Sequence, residues 1–189
     1  MRINYKGKFS QIITAIEDAN DILNSEEFYQ LISNHGDFNC SDFSSEDISN
    51  IIKKSKLEVE VKIYKPRWRY SKVLGYFIKS KPNKIFLNSR KIYRDTNSIT
   101  NTIIHEYVHA VDNDNNSNAI EFGHICQSFT NTAPYVIGSY AEFLMEGNAT
   151  TEIPNLINAL VEQNHMCIQE DINALDSADL FIIEEHRVL

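Results

Sequence analysis

The spacing of apolar residues changes twice along the chain, and these changes limit the folds open to it. Up to about residue 55 they recur at helical intervals, as in the stripe from Ile12 to Leu23. Between 57 and 63 they alternate with charged residues, which is typical of a half-buried strand. From Ile99 onward the helical interval returns. Helices, then a small sheet, then helices predict an α+β fold.

Local signals add detail to this order. Residues 73–78 and 85–87 indicate two more strands, joined by a turn at 79–84. Gly75 is a position where a bulge is expected. Ser44, followed three residues later by an acid, predicts a capped helix start.

The second half of the chain is expected to be mainly helical. The Asn-rich residues 112–118 are expected to end the helix that begins near Ile99. Residues 133–135 are expected to form a loop, and the next helix is expected from Ser139 to Gly147. Further helices are expected after Pro154 and near the C-terminus.

Length and charge bound the protein class. We expect one domain over 1–189, with a helical part at 1–55, a core at 57–147 and C-terminal helices at 148–189. Up to residue 111 there are 17 Lys+Arg and 13 Asp+Glu, and from residue 112 there are one and 13. This distribution differs from that of a uniformly basic nucleic-acid binder, so no nucleic-acid partner is expected.

One basic segment stands apart from the overall net charge of -8. Residues 53–94 contain 14 Lys+Arg and two acids. We interpret this segment as the solvated face of a sheet, with part of it bordering a cleft. The alternative is a surface for nucleic acid or for an acidic substrate.

The chain lacks sequence signals for membranes and for secretion. It contains no apolar run long enough to span a bilayer, and its N-terminal residues lack a signal-peptide pattern. We therefore expect no membrane partner, and a chain that is cytoplasmic, trimmed, or exported by a route that needs no such signal. Cys40, Cys126 and Cys167 are odd in number and lack metal-type spacing, so free buried thiols are expected rather than a disulfide scaffold.

The residues that carry chemistry lie in the segment HEYVH at 105–109. On a helix, His105 and His109 project from one face, about 6 Å apart along the axis, which is close enough to share one metal ion. Zn²⁺ accepts neutral imidazole nitrogens and lowers the pKa of a bound water toward about 7. Glu106, next to the first histidine, can accept the proton of that water as general base. The alternative is two core histidines without a metal.

This segment resembles a known superfamily. The sequence IFLN at 85–88 and the sequence NTIIHEYVHAVD at 101–112 look like the strand and active-site helix of the zincin zinc metallopeptidases. The sequences EFGH at 121–124 and TAPY at 132–135 are similar to small bacterial metallopeptidases of toxin or effector type. The resemblance implies a zincin-like fold, in which a small twisted mixed sheet packs on the motif helix and substrate lies along an edge strand.

The motif supplies two metal ligands, and a third must come from elsewhere. We favour His124, which follows a loop and a glycine. Glu142 and Glu146 are alternatives, as are Glu121 and Asp112. Asp112 continues the stripe of the two histidines, but its Cα lies about 10 Å along the helix from that of His105. This position suits a residue that orients a metal ligand better than it suits a ligand.

These residues together predict a zinc-dependent endopeptidase that acts on a protein or peptide. Tyr135 is the favoured donor to the oxyanion, with Tyr140 and His165 as further candidates. One alternative keeps the metal but changes the substrate to another amide, or loses catalysis. The other is a non-enzymatic interaction module with a basic sheet face. The sequence leaves the substrate, the oligomeric state and the host process open.

Overall fold

A computed structural model describes residues 2–66, 73–115 and 131–147, which form five helices and one sheet. The strands are β1 (Ile3–Asn4), β2 (Val59–Tyr64), β3 (Gly75–Phe77) and β4 (Lys84–Asn88). The helices are α1 (Ser10–Ile22), α2 (Glu26–Ser33), α3 (Ser45–Lys54), α4 (Thr96–Asn115) and α5 (Ala133–Met145). The predicted α+β class is confirmed.

The sheet is small and mixed, as predicted. Its order is β1-β2-β4-β3, with β1, β2 and β4 parallel and β3 antiparallel to β4. The register pairs Val61 with Ile85 and Tyr76 with Phe86. Strand β3 is therefore an edge strand, and it is the strand that packs against α4 most extensively.

The two faces of the sheet carry different cores. One face joins the main core with the helices through fully buried aliphatic side chains such as Val59, Val61 and Ile85. The other face carries an aromatic cluster, in which Tyr76 stacks on Phe86 at 4.9 Å between ring centroids. The alternation of strand β2 predicted from the sequence separates these two faces.

Helix α4 runs through the main core. Apolar side chains on several of its sides are fully buried, including Ile103, Ile104 and Val108. It packs against α5, α1, α3, β3 and β4. Because its surroundings are almost wholly protein, each polar side chain on it needs an identified partner or a function.

Two predicted boundaries were wrong. Helix α4 continues to Asn115, so residues 112–115 are helical rather than the start of a loop. Burial of Val111 and Asp112 outweighs the weak helix propensity of Asp and Asn here. Helix α5 begins at Ala133 rather than at Ser139, and Pro134 lies in its first turn. Proline is tolerated there because the backbone N–H groups of a first turn have no partner within the helix.

Other local predictions have definite outcomes. The helix cap is confirmed, because the Ser44 hydroxyl accepts a hydrogen bond from the Asp47 amide at 3.1 Å. Gly147, at φ 68°, follows the end of α5 as expected. The glycine at position 75 is explained by close packing rather than by a bulge. A Cβ there would lie 2.8 Å from Thr102 Cγ2, so glycine lets β3 approach α4. Strand β1 is too short for a periodic signal, and it was not predicted.

The cysteine prediction was wrong for Cys40, which is disulfide-bonded and exposed. With three cysteines, one thiol must stay outside any disulfide within the chain, but a single disulfide can still form. The other two cysteines of the chain, and the helices predicted after Pro154, lie outside the described residues. Within the described ranges, no helix combines the length and apolar character needed to cross a membrane.

The contact between α5 and α4 depends on Gly138. A Cβ at this position would lie 2.5 Å from Asn101 Oδ1 and 3.1 Å from the Asn101 carbonyl oxygen. We expect Gly138→Ala to lower the free energy of unfolding by about 1–2 kcal/mol, because overpacking outweighs the gain in helix propensity. Denaturant unfolding measures the change. Combining it with Asn101→Ala removes the amide from the contact, so a penalty that is as large in that background would contradict this explanation.

Candidate metal centre

His105 and His109 face one another on α4. Their Nε2 atoms are 3.1 Å apart, and their ring planes cross at 76° with centroids 4.8 Å apart. His105 is 7% exposed and His109 is half-buried. In the absence of an ion, this contact is a hydrogen bond that needs a proton on one ring only.

The separation of the two nitrogens fits a shared metal ion. Tetrahedral zinc with Zn–N bonds of about 2.0–2.1 Å places two imidazole nitrogens about 3.3 Å apart. The observed 3.1 Å is close to this value. With Glu106, the pair forms a group whose ligand atoms lie within 4.8 Å of one another, and no other such group occurs in residues 2–66, 73–115 and 131–147. The donor set present fits zinc but leaves at least one ligand to be supplied.

Glu106 is a buried carboxyl group beside this pair. Its residue is 6% exposed, and burial raises the pKa of its carboxyl group to about 8. The backbone N–H of Phe77, on β3, donates a hydrogen bond to it and partly offsets this rise. A cation held by the histidines would also lower the pKa, because an opposite charge favours the carboxylate.

The position of Phe77 follows from the way β3 lies along α4. Gly75 contacts Thr102, and Phe77 reaches Glu106. Two residues of strand span about 6.6 Å, and four residues of helix span about 6 Å. The two spacings match, so the close contact of Gly75 with Thr102 brings the Phe77 amide within hydrogen-bonding distance of the Glu106 carboxylate.

Tyr135, the favoured electrophile, reaches the site from α5. Its ring meets the His105 ring edge to face, with centroids 4.7 Å apart. Burial, and then the negative charge of Glu106, raise the pKa of its hydroxyl. The phenol therefore keeps its proton and can act as a hydrogen-bond donor.

The remaining candidates from the sequence are of two kinds: those within the described residues and those outside them. Glu142 accepts a hydrogen bond from Asn101 at 2.6 Å, so this carboxylate links α5 to α4. Tyr140 makes a 2.7 Å contact with His35, away from the metal group. Asp112 is buried on α4, and Glu146 follows the end of α5. Outside the described residues lie His124, Glu121 and His165.

Sequence reasoning missed the contributions of Phe77 and Asn101. Phe77 acts through its backbone, which has no signature in the sequence. Asn101 lies four residues before His105, and this helical spacing could have indicated a position on the same face of α4.

The comparisons with known proteins do not assign this site. The chain matches no protein-family model, no curated protein and no solved structure. The functional interpretation therefore depends on the geometry and chemistry of the residues themselves.

A direct prediction concerns metal content. Purified protein equilibrated with zinc should retain about one equivalent, and His105→Ala or His109→Ala should each abolish retention, because one imidazole alone binds weakly. Elemental analysis after dialysis measures this. His35→Gln is the matched control, since His35 lies outside the group and should leave zinc content unchanged. Equal zinc content in wild type and both alanine variants would contradict the assignment.

Proposed function

We propose that the protein is a zinc-dependent endopeptidase with a zincin-like fold. One observation carries this proposal: the Nε2 atoms of His105 and His109 converge to 3.1 Å, with the buried Glu106 carboxyl group between β3 and α4 beside them. Burying His105 and Glu106 beside the half-buried His109 costs free energy, which coordination of a cation would help to offset.

The fold supports the finer assignment as well. The motif helix packs under a small mixed sheet whose edge strand β3 is antiparallel to its neighbour and contacts the motif helix. The resemblance to zincins implies this relation between the sheet and the helix. It also implies that β3 is the strand along which a peptide substrate lies.

The roles of the residues follow from their positions. Zinc bound by His105 and His109 would activate a water molecule and polarise the substrate carbonyl group. Glu106 accepts the proton of the attacking water, with its carboxylate oriented by the Phe77 amide. Tyr135 keeps its hydroxyl proton, so it can donate a hydrogen bond to the developing oxyanion.

The disulfide at Cys40 supports a place of action outside a reducing cytosol. Disulfides persist in oxidising compartments and are rare in cytosolic proteins. This observation favours an exported peptidase.

We propose His124 as the third zinc ligand. Among the described candidates, Glu142 is bonded to Asn101, and neither Glu142 nor Glu146 belongs to the metal group. His124→Ala should weaken zinc binding by orders of magnitude, because it removes one of three protein ligands. Glu142→Ala and Glu146→Ala should bind zinc with nearly normal affinity. Competition with a chromogenic chelator measures the three affinities, and the reverse order would assign the ligand to α5.

Glu106→Gln tests the catalytic assignment. The change keeps the shape of the side chain but removes the basic oxygen, so turnover should fall by about 10²–10⁴ while zinc content stays normal. Single-turnover cleavage of a protein or peptide-library substrate by zinc-loaded enzyme measures the effect. Glu58→Gln is the matched control, because Glu58 is exposed and outside the metal group. A folded, zinc-loaded Glu106→Gln protein that cleaves at the wild-type rate would refute the proposed mechanism.

A further inference from the structure

His35, just beyond the end of α2, is hydrogen-bonded through both ring nitrogens to the segment that carries Tyr135. Its Nδ1 lies 2.7 Å from the Tyr140 hydroxyl oxygen, and its Nε2 lies 2.6 Å from Asn131 Oδ1. The ring also stacks on Phe38, with centroids 4.5 Å apart. The metal centre uses none of these groups.

The surrounding hydrogen bonds determine the tautomer of His35. Asn131 Nδ2 donates to the Asp37 carbonyl oxygen at 2.9 Å, so Asn131 Oδ1 is the atom turned to the ring. An amide oxygen only accepts, and therefore His35 Nε2 carries the proton. In the neutral ring, Nδ1 is then unprotonated and accepts the hydrogen bond from the Tyr140 hydroxyl. With Tyr140 as the donor, the neutral ring satisfies both bonds.

These bonds secure the beginning of α5. The Asn131 carbonyl oxygen accepts from the Asn39 amide at 2.8 Å, so the 35–39 segment holds Asn131 through its side chain and its backbone. Helix α5 starts two residues later, and Tyr135 lies in its first turn. Tyr140 anchors the same helix on the side that faces His35.

We propose that neutral His35 is a positioning residue, which fixes the first two turns of α5 and so holds the Tyr135 ring against His105. The inference rests on the proposed function only for its effect on turnover. Its structural part, the link from His35 to the Tyr135–His105 contact, stands independently.

Protonation of His35 would reverse the direction of its hydrogen bond with Tyr140, at a cost in free energy. A second ring proton would point from Nδ1 at the hydroxyl oxygen of Tyr140, a residue that is 3% exposed. The hydroxyl would then have to turn its own proton elsewhere. No charged side chain pairs with the ring among the described residues: from α5 it meets Tyr140, while Glu142 is bonded to Asn101. From its own segment it meets Phe38 and the bonded Asn131.

The other titratable residues near His35 do not pair with its ring, so its neutral form stays favoured. Asp37 engages Asn131 through its carbonyl oxygen, and on α2 the Tyr29 hydroxyl donates to the Leu23 carbonyl. Burial lowers the pKa of His35 below 6.5, and the bond to Asn131 opposes this only partly.

The expected pH dependence follows from this direction. Because the unfolded chain takes up the proton first, the contribution of neutral His35 to stability is complete above about pH 6.5 and is lost as the pH falls below it. His35→Gln keeps one donor and one acceptor but does not titrate. We expect wild type to lose more free energy of unfolding than His35→Gln between pH 7 and pH 5, measured by denaturant unfolding. Identical pH dependences would show that the ring does not act through its neutral form.

A double-mutant cycle tests whether His35 acts through Tyr135. In zinc-loaded protein, His35→Leu and Tyr140→Phe should each lower kcat about tenfold with little change in KM or zinc content. In a Tyr135→Phe background the same changes should have almost no further effect. His35→Gln should restore kcat to near the wild-type value. Equal losses in both backgrounds would indicate a merely structural role and would overturn the proposal.

Two further measurements keep the test decisive. Tyr29→Phe removes a buried tyrosine hydroxyl of the same kind, and it should lower stability without lowering kcat. The nuclear Overhauser effect between the Tyr135 and His105 rings should weaken in Tyr140→Phe but not in Tyr29→Phe. If wild type shows no turnover, the proposed function fails while this ring contact still tests the positioning role. An unchanged contact in Tyr140→Phe would overturn it.

Discussion

The close packing of β3 and α5 against α4 is the constraint on which the site depends. Helix α4 is buried on nearly all sides, so His105 and Glu106 have little water to satisfy them, and His109 is half-buried. Each therefore has a defined neighbour: the histidines have one another, and the carboxyl group has the Phe77 amide. The same burial that makes the arrangement costly keeps its geometry fixed.

Two glycines make this packing possible, one on β3 and one on α5. Gly75 lets β3 approach at Thr102, and Gly138 lets α5 approach at Asn101. One turn further along α4, these elements deliver the Phe77 amide to Glu106 and the Tyr135 ring to His105. The close approach of the β3 and α5 backbones at Asn101 and Thr102 thus fixes the surroundings of His105 and Glu106 one turn later.

Much of this arrangement could be predicted from the sequence, because it depends on local periodicity. The strand alternation at 57–63 and the helical spacing around the two histidines are local signals, and both correspond to real elements. The start of α5 could not be predicted in this way, because Pro134 suits a loop and a first helical turn equally well. The pairing of Cys40 and the contact of Asn101 with Glu142 join residues distant in the chain, which periodicity does not report.

The central claim is that His105 and His109 hold one zinc ion beside Glu106. A crystal structure of the zinc-loaded protein, with diffraction data collected on both sides of the zinc absorption edge, tests this most directly. The anomalous difference map should contain one strong peak about 2.0–2.1 Å from the Nε2 atoms of both histidines. A map with no peak there, or with its strongest peak on other side chains, would contradict the claim.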